Sequence, residues 1–390
     1  MRTLIELFDE RPLDNVLSAE MFRPERTVYI CPREVARDQN MRESLERYFR
    51  MRGVDTACEF LAADMLNPME VSALLKACWE RYPDAAIDIS GGTDSALFAA
   101  GLASNMPGAS VFTYSRRKNM FFEIMNAPFA HDTPCTVHLR CADCFLMAGG
   151  EMLPGREDNT KLAGAMDEAM ALWNVYVRFR PSWHKIITYI QRISQGREAD
   201  NTAEGDETIK GDRGTVTADA DCLQALADAG LIRDLRMSGG RVFFRFRDDL
   251  VRFWLRDVGS ALEVCVYTAC ARSGFFDDVC LSAVVNWHYG PKGSGSVTNE
   301  IDVMAVQDVR PVFISCKATD IKTEALNELK ILRDRFGGEG SFAAIVTTSA
   351  GGKDNLAMRN RAQELGIRVF SLQDAEEPEK LARYLKNMYR

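Results

Sequence analysis

The stretch AAIDISGGTDSALFAAGLAS (85–104) decides the fold of the first half of the chain. Ala85 to Ser90 suits a short strand, Gly91 and Gly92 supply a tight turn, and small residues then continue as a helix. A strand that turns on glycines into a helix is one step of an open α/β sheet. Working outward, the step recurs. TVYICP (27–32) is a compact β-branched strand followed by helical spacing from Asp38 to Met51, and DTACEFLAA (55–63) is a strand followed by a helix from Pro68 to Tyr82. On the other side, GASVFTYSR (108–116) and TPCTVHLRC (133–141) read as further strands. Strand, crossover helix and parallel strand in succession predict a doubly wound α/β domain over residues 1–150.

With 390 residues the chain exceeds what one hydrophobic core usually holds, so further domains follow. Asp158 to Gln195 is helical and aromatic, and its Trp173, Tyr176, Phe179, Trp183 and Tyr189 read as core rather than as a platform for bases. Residues 196–215 are polar and nearly free of large apolar side chains, which predicts a linker. Residues 217–250 give a helix and two strands joined at Ser238-Gly239-Gly240, a winged-helix-like arrangement. It carries Arg233, Arg236, Arg241, Arg245 and Arg247, and either contacts nucleic acid or merely joins its neighbours. Residues 151–255 are therefore a connector.

A hydrophobic share of 46% with 27% charged residues is that of a folded soluble protein, and no apolar run is long enough to span a membrane. The opening MRTLIELFDERPL mixes acids and bases in a helical pattern without a secretory core, which predicts a cytoplasmic protein. Eleven scattered cysteines fit buried thiols in a reducing compartment. Cys135, His138, Cys141 and Cys144 are zinc-ligand types, although their segment also alternates like a strand. A net charge of −8 excludes a generally basic surface but leaves room for a local basic channel.

Residues 256–390 hold the chemistry. A helix from Asp257 to Ala271 presents Glu263; then come the strand DDVCLSAVVNWHY (277–289), the Gly/Ser loop PKGSGSVTN (291–299), EIDVMAV (300–306), a turn at Gln307-Asp308 and PVFISCKAT (311–319). Alternation along a hairpin places Glu300 and Asp302 on one face of its first strand, and Ser315 and Lys317 on one face of its second. Carboxylates beside an ammonium can hold Mg²⁺ or Mn²⁺ on a phosphodiester while the lysine orients the nucleophile or stabilises the transition state. The bland alternative is a surface salt bridge among Glu300, Asp302 and Lys317.

Glu263, Asp302 and Ser315-Cys316-Lys317 at the end of the next strand resemble the PD-(D/E)XK restriction-endonuclease-like superfamily. The acid of that triplet is replaced here by Ser315, a poor metal ligand. The resemblance implies Glu263, Asp302 and the Cys316 carbonyl around a metal, with Glu300 in support and Lys317 as the charge-stabilising group. More closely, the whole chain resembles CRISPR-associated Rossmann fold (CARF) domains fused to such a nuclease, ancillary effectors of type III CRISPR immunity. LIELFDERPLDNVLSAEMFRPERTVYICP, DISGGTDSALFAAG, GSALEVCVYTA, FFDDVCLSAVVNW and NEIDVMAVQDVRPVFISCK carry it, and a serine in the triplet is a familiar form there.

The resemblance implies an N-terminal Rossmann-like sensor of cyclic oligoadenylate, with cyclic tetra-adenylate the first ring size to try. Ligands of open α/β sheets sit beyond the carboxyl ends of strands. Ser90, Gly91, Gly92, Thr93 and Asp94, Pro32-Arg33, and Tyr114-Ser115-Arg116 lie there. A twofold-symmetric ring is best met by two copies of one surface, which implies a homodimer whose ligand switches paired nuclease domains acting on DNA, RNA or both. Two rivals stand beside this reading. SGGTDS also matches the pyrophosphate loop of ATP pyrophosphatases, which leaves Asp302 and Lys317 unexplained. The other rival is a ligand-gated nucleic-acid-binding regulator made inert by Ser315.

Overall fold

The computed structural model describes residues 1–153, 159–197, 199–211, 214–290, 297–349 and 353–390. Most of the Gly/Ser loop, residues 291–296, lies outside them. The N-terminal sheet holds β1 (Thr3–Leu7), β2 (Arg26–Pro32), β3 (Ala57–Ala63), β4 (Ala86–Asp88), β5 (Ser110–Ser115), β6 (Met120–Met125) and β7 (Thr133–Pro134). Their order is β3-β2-β1-β4-β5-β6-β7; the first five are parallel and the last two antiparallel. The helices are α1 (Leu17–Phe22), α2 (Arg33–Arg37), α3 (Gln39–Met51), α4 (Pro68–Arg81) and α5 (Asp94–Ala103). Caps set their starts: Asp38, Asn67 and Thr93 each accept from backbone amides of the first turn. The strand order turns back between β1 and β4, so the loops after these two strands flank the crevice of the sheet.

Two expectations for this domain are corrected. The opening segment is not helical; TLIEL is an interior strand, third of the seven, and buried at all five positions. Its Glu6 spoils the apolar run, yet it is only 1% exposed. Burial, then Asp88 and Asp14, push its carboxyl well above the ordinary value. TPCTVHLRC forms strand only at Thr133–Pro134; from Cys141 the chain is helix α6 (Cys141–Met147). There the Asp143 side chain accepts from the Arg140 amide, 2.8 Å away, and anchors the helix start.

The connector contains α7 (Asn159–Ala163), α8 (Met166–Phe179) and α9 (Trp183–Ile193), around which Trp173, Tyr176, Trp183 and Tyr189 are buried, as core residues should be. Residues 196–215 are not a bare linker. They supply β9 (Thr202–Asp206) and β10 (Thr208–Gly211), and β10 pairs with β11 (Gly214–Thr217). Helix α10 (Ala220–Asp228) and strands β12 (Ile232–Ser238) and β13 (Arg241–Phe246) form the winged-helix-like unit, with β9 added to its sheet. Polar side chains hid β9 because it gains stability from pairing with β13 rather than from an apolar face.

Helices α11 (Asp249–Trp254) and α12 (Ser260–Arg272) lead into the C-terminal sheet. Its strands are β8 (Glu151–Leu153), β14 (Asp278–Asn286), β15 (Thr298–Gln307), β16 (Arg310–Lys317), β17 (Phe342–Thr347) and β18 (Ile367–Phe370), ordered β18-β17-β16-β15-β14-β8. Helices α13 (Thr323–Phe336), α14 (Lys353–Glu364), α15 (Leu372–Ala375) and α16 (Pro378–Asn387) complete the chain. Residues of α12 share a core with Val303, Val312, Ile314 and Cys316, whereas those of α13 share one with Met304, Phe313 and Ile345. The two helices thus cover opposite faces. The α13 core continues into the N-terminal domain through Phe145, whose ring meets Phe336 with centroids 5.1 Å apart. No helix of the described residues is long and apolar enough to cross a membrane.

Candidate active site and ligand crevice

The ladder between β15 and β16 runs from Val303 opposite Ile314 to Gln307 opposite Arg310. Beyond it the strands part, while β16 stays paired with β17 as far as Lys317. Backbone groups freed at such a split need other partners. Asp302 fills the gap: its Oδ2 accepts from the Cys316 amide (2.6 Å), Ser315 Oγ (3.1 Å) and Lys317 Nζ (3.4 Å). Among the described residues its Oδ1 takes no hydrogen bond. The Lys317 carbonyl accepts from Thr348 on the β17 side, and successive carbonyls alternate along a strand. The Cys316 carbonyl therefore faces the gap that holds Asp302.

Glu300, Asp302, Ser315 and Lys317 line a small cavity of about 40 Å³ together with Glu328 and Leu329 of α13. Carboxylates of Asp302, Glu300 and Glu328 with a peptide carbonyl make a set of hard oxygen donors, the kind that suits Mg²⁺ or Mn²⁺. Ser315 is placed as a donor to Asp302, which removes the need for it to be a metal ligand. Glu263 stands apart. It lies in the first turn of α12, the helix on the opposite face, and reaches the group electrostatically at Cys316. Burial, then Asp302 and Glu263, push the Cys316 thiol well above its usual range, so this cysteine offers its carbonyl and not a thiolate.

Glu328 has no motif around it in sequence. Its place is fixed by a relay: Trp287 Nε1 donates to Asn299 Oδ1 (2.7 Å), and Asn299 Nδ2 donates to Glu328 Oε1 (2.6 Å). The connector reaches the same strand ends. Tyr176 donates to Thr348 Oγ1 (2.8 Å) and Arg180 to the Thr348 carbonyl (3.0 Å), next to the Lys317 backbone.

At the N-terminal crevice, Gly91 and Gly92 allow the loop after β4 to lie on the loop after β1. A Cβ on Gly91 would come within 2.9 Å of the Asp14 Cβ, and Gly92 has φ +101° with Leu7 2.8 Å from where a Cβ would stand. Ser90 N donates to Asp88 (2.7 Å), Tyr114 N to Ser90 Oγ (2.7 Å), and Thr93 caps α5. The Gly92 amide donates to Asp9 Oδ2 (2.7 Å), so a carboxylate of the protein already occupies the glycine turn. Burial raises the Asp9 carboxyl, but hydrogen bonds from Arg11 and Gly92 outweigh it and leave it below the ordinary value.

The structure brings Arg116 to this crevice, ion-paired to Asp14, and adds Arg11, which pairs with Asp9 and Asp14, each at 2.9 Å. Arg33 turns elsewhere, to Glu70 at 3.5 Å on the β3 side; Asp94 opens α5, and Ser115 accepts from the Lys118 amide (3.4 Å for Oγ). Sequence reading missed Asp9, Arg11 and Asp14 because it missed β1. FDERPLDN directly follows that strand at the turning point of the strand order.

One further expectation changes, and the basic region gains partners. Cys135, His138, Cys141 and Cys144 are not gathered into one ligand sphere among the described residues: His138 faces Asp277 (3.2 Å) and Asp308 (3.6 Å), while Cys141 and Cys144 are buried in the core. The arginines of the winged-helix-like unit are largely spent on ion pairs, Arg241 with Glu204 (2.8 Å), Arg245 with Asp234 (3.5 Å) and Arg247 with Glu168. Arg236 lies over Phe243, with 5.7 Å to the ring centroid.

Residues 249–390 match the family model of the Card1-like endonuclease domain. Asp302, Lys317 and the residues that line the cavity with them fall in this Card1-like region. No curated protein matches the sequence. Solved structures share the fold along the whole length. Protein VC1899 from Vibrio cholerae superposes with a TM-score of 0.75 at 16% identity, covering 99% of this chain and 98% of that one. Can2 from Sulfobacillus thermosulfidooxidans, solved in complex with cyclic tetra-adenylate, gives 0.71 at 14% identity over 100% and 99%. The chain thus shares its whole fold with these two proteins, and its C-terminal region matches the Card1-like endonuclease domain.

Proposed function

We propose that the chain is a cyclic-oligoadenylate-activated, divalent-metal-dependent endonuclease of type III CRISPR defence that cleaves DNA, RNA or both. The observation that carries the proposal is the split between β15 and β16, where Asp302 meets Ser315, the Cys316 amide and Lys317 inside the Card1-like region. Asp302 with Glu300, Glu328 and the Cys316 carbonyl would hold Mg²⁺ or Mn²⁺, while Glu263 acts on the group only through its charge near Cys316. When bound, the ion neutralises phosphate charge and lowers the pKa of water. Ser315 and the Cys316 amide fix the Asp302 carboxylate, and Lys317 places a positive charge where the scissile phosphate gains negative charge.

The N-terminal domain binds the activator at the strand ends around Ser90 to Asp94, Arg11 and Arg116. Cyclic tetra-adenylate is the first candidate because the fold is shared with Can2, which was solved with that ligand. Two copies of the crevice related by a twofold axis match such a ring, so the active form is a homodimer. Free cysteines throughout suit a cytoplasmic site. The test incubates purified protein with labelled DNA and RNA, with and without each cyclic oligoadenylate and Mn²⁺. Cleavage that needs both activator and metal, and is lost in Asp302→Asn, is the expected result; release of pyrophosphate from ATP without cleavage sinks it.

A further inference from the structure

Between α13 and β17 the Card1-like domain sends out Gly337-Gly338-Glu339-Gly340, and Glu339 crosses into the N-terminal domain. Its Oε2 lies 2.5 Å from Arg11 and 3.1 Å from Arg116, the two guanidiniums at the turning point of the strand order. Arg116 is 17% exposed and Arg11 33%, while Glu339 is 66% exposed. A half-buried cationic pair is thus met by a carboxylate that water can reach from the other side. Asp9 and Asp14 hold the two arginines from below and are parts of the crevice itself; Glu339 comes from another domain on a short loop bordered by glycines.

We propose that Arg11 and Arg116 form the phosphate seat of the sensor, and that Glu339 of the nuclease domain occupies this seat until a ligand phosphate displaces it. The idea rests on the sensor reading above and adds to it the occupant and the consequence. One carboxylate oxygen bridging two guanidiniums brings the single negative charge that a phosphodiester oxygen would bring, so exchange leaves the local charge balance unchanged. The seat cannot hold both anions. Ligand binding therefore releases the Glu339 loop, and since that loop connects α13, which carries Glu328, to β17, which flanks Lys317, release acts on both walls of the metal cavity. By reciprocity, a loop that leaves the seat more readily must raise affinity for the ligand.

The experiment compares wild type with Glu339→Gln and Arg11→Ala, measuring binding of fluorescent cyclic tetra-adenylate and Mn²⁺-dependent cleavage of labelled DNA and RNA without ligand, with melting curves as folding control. An exposed ion pair contributes little, so Glu339→Gln should lower the Kd by about two- to fivefold and raise ligand-free cleavage. Arg11→Ala should raise the Kd by about tenfold or more. An unchanged Kd in Glu339→Gln, with wild type binding normally, overturns the displacement and leaves the sensor assignment standing. Failure of wild type to bind overturns both.

Discussion

The two sheets both gather charge at strand ends, but in opposite ways. In the C-terminal sheet one carboxylate, Asp302, is met by three donors on one oxygen, and among the described residues its other oxygen takes no hydrogen bond. In the N-terminal sheet several acids lie close together: Glu6, Asp14 and Asp88 are all buried beneath the crevice, and burial raises the pKa of each. The first arrangement fixes a carboxylate by its donors and turns it toward a cavity lined by further acids. The second carries charge that the fold bears at a cost and that a ligand or a proton can modulate.

Asp302→Asn is the severest test of this contrast. It preserves shape and the contact with Ser315 but removes the charge that faces the metal and Lys317. Cleavage should fall by about a thousandfold or more, with Lys317→Ala close behind at about a hundred- to a thousandfold. Melting temperatures should stay near wild type. Retained activity in Asp302→Asn under single-turnover conditions would place the chemistry elsewhere.

Asp14→Asn should act oppositely, on stability rather than turnover. Burial, against the pull of Arg116 and Arg11, raises the Asp14 carboxyl from 3.8 to about 6. A raised acid stabilises the fold while protonated, so its contribution is present at low pH and is lost as pH rises from 3.8 through about 6. The neutral amide avoids that loss, making the variant about 1–3 kcal/mol more stable at pH 7.5 and nearly equal to wild type at pH 4. Thermal melts across that range decide it. Equal destabilisation at both pH values would mean that the ion pairs with Arg11 and Arg116 dominate.

What the sequence revealed follows the same divide. The β15–β16 hairpin was legible because alternation puts Asp302, Ser315 and Lys317 in register without help from the rest of the chain. The N-terminal crevice was half legible. Loops after β4 and β5 were found, but Glu6 disguised β1 as something amphipathic, and with β1 went Asp9, Arg11 and Asp14. Glu328 and Glu339 were invisible because each reaches its site through tertiary packing, one on an ordinary amphipathic helix and the other on a glycine loop. The arginines between 233 and 247 show the converse, a pattern plain in sequence whose charges are absorbed by neighbours no local reading could name.

Between the two sheets, Tyr176 is the contact to remove next. Its hydroxyl meets Thr348 beside the Lys317 backbone and is buried, so Tyr176→Phe should cost about 1 kcal/mol of stability. If the connector braces the catalytic strand end, kcat should fall severalfold while the Kd for cyclic tetra-adenylate holds. A lower melting temperature with unchanged kcat would reduce the contact to packing.

The smallest effect is expected where the sequence looked most suggestive. Arg241 and Arg245 are exposed, and each already faces an acid, Glu204 or Asp234. A phosphate would have to compete with those carboxylates, and an exposed pair contributes only about 0.2–1 kcal/mol in either role. Replacing both with alanine should therefore leave nucleic-acid Kd within about twofold and barely change its dependence on salt, since each lost phosphate contact would lower the slope by about one. A slope reduced by two would show that the ion pairs open for substrate and that the winged-helix-like unit is part of the binding path.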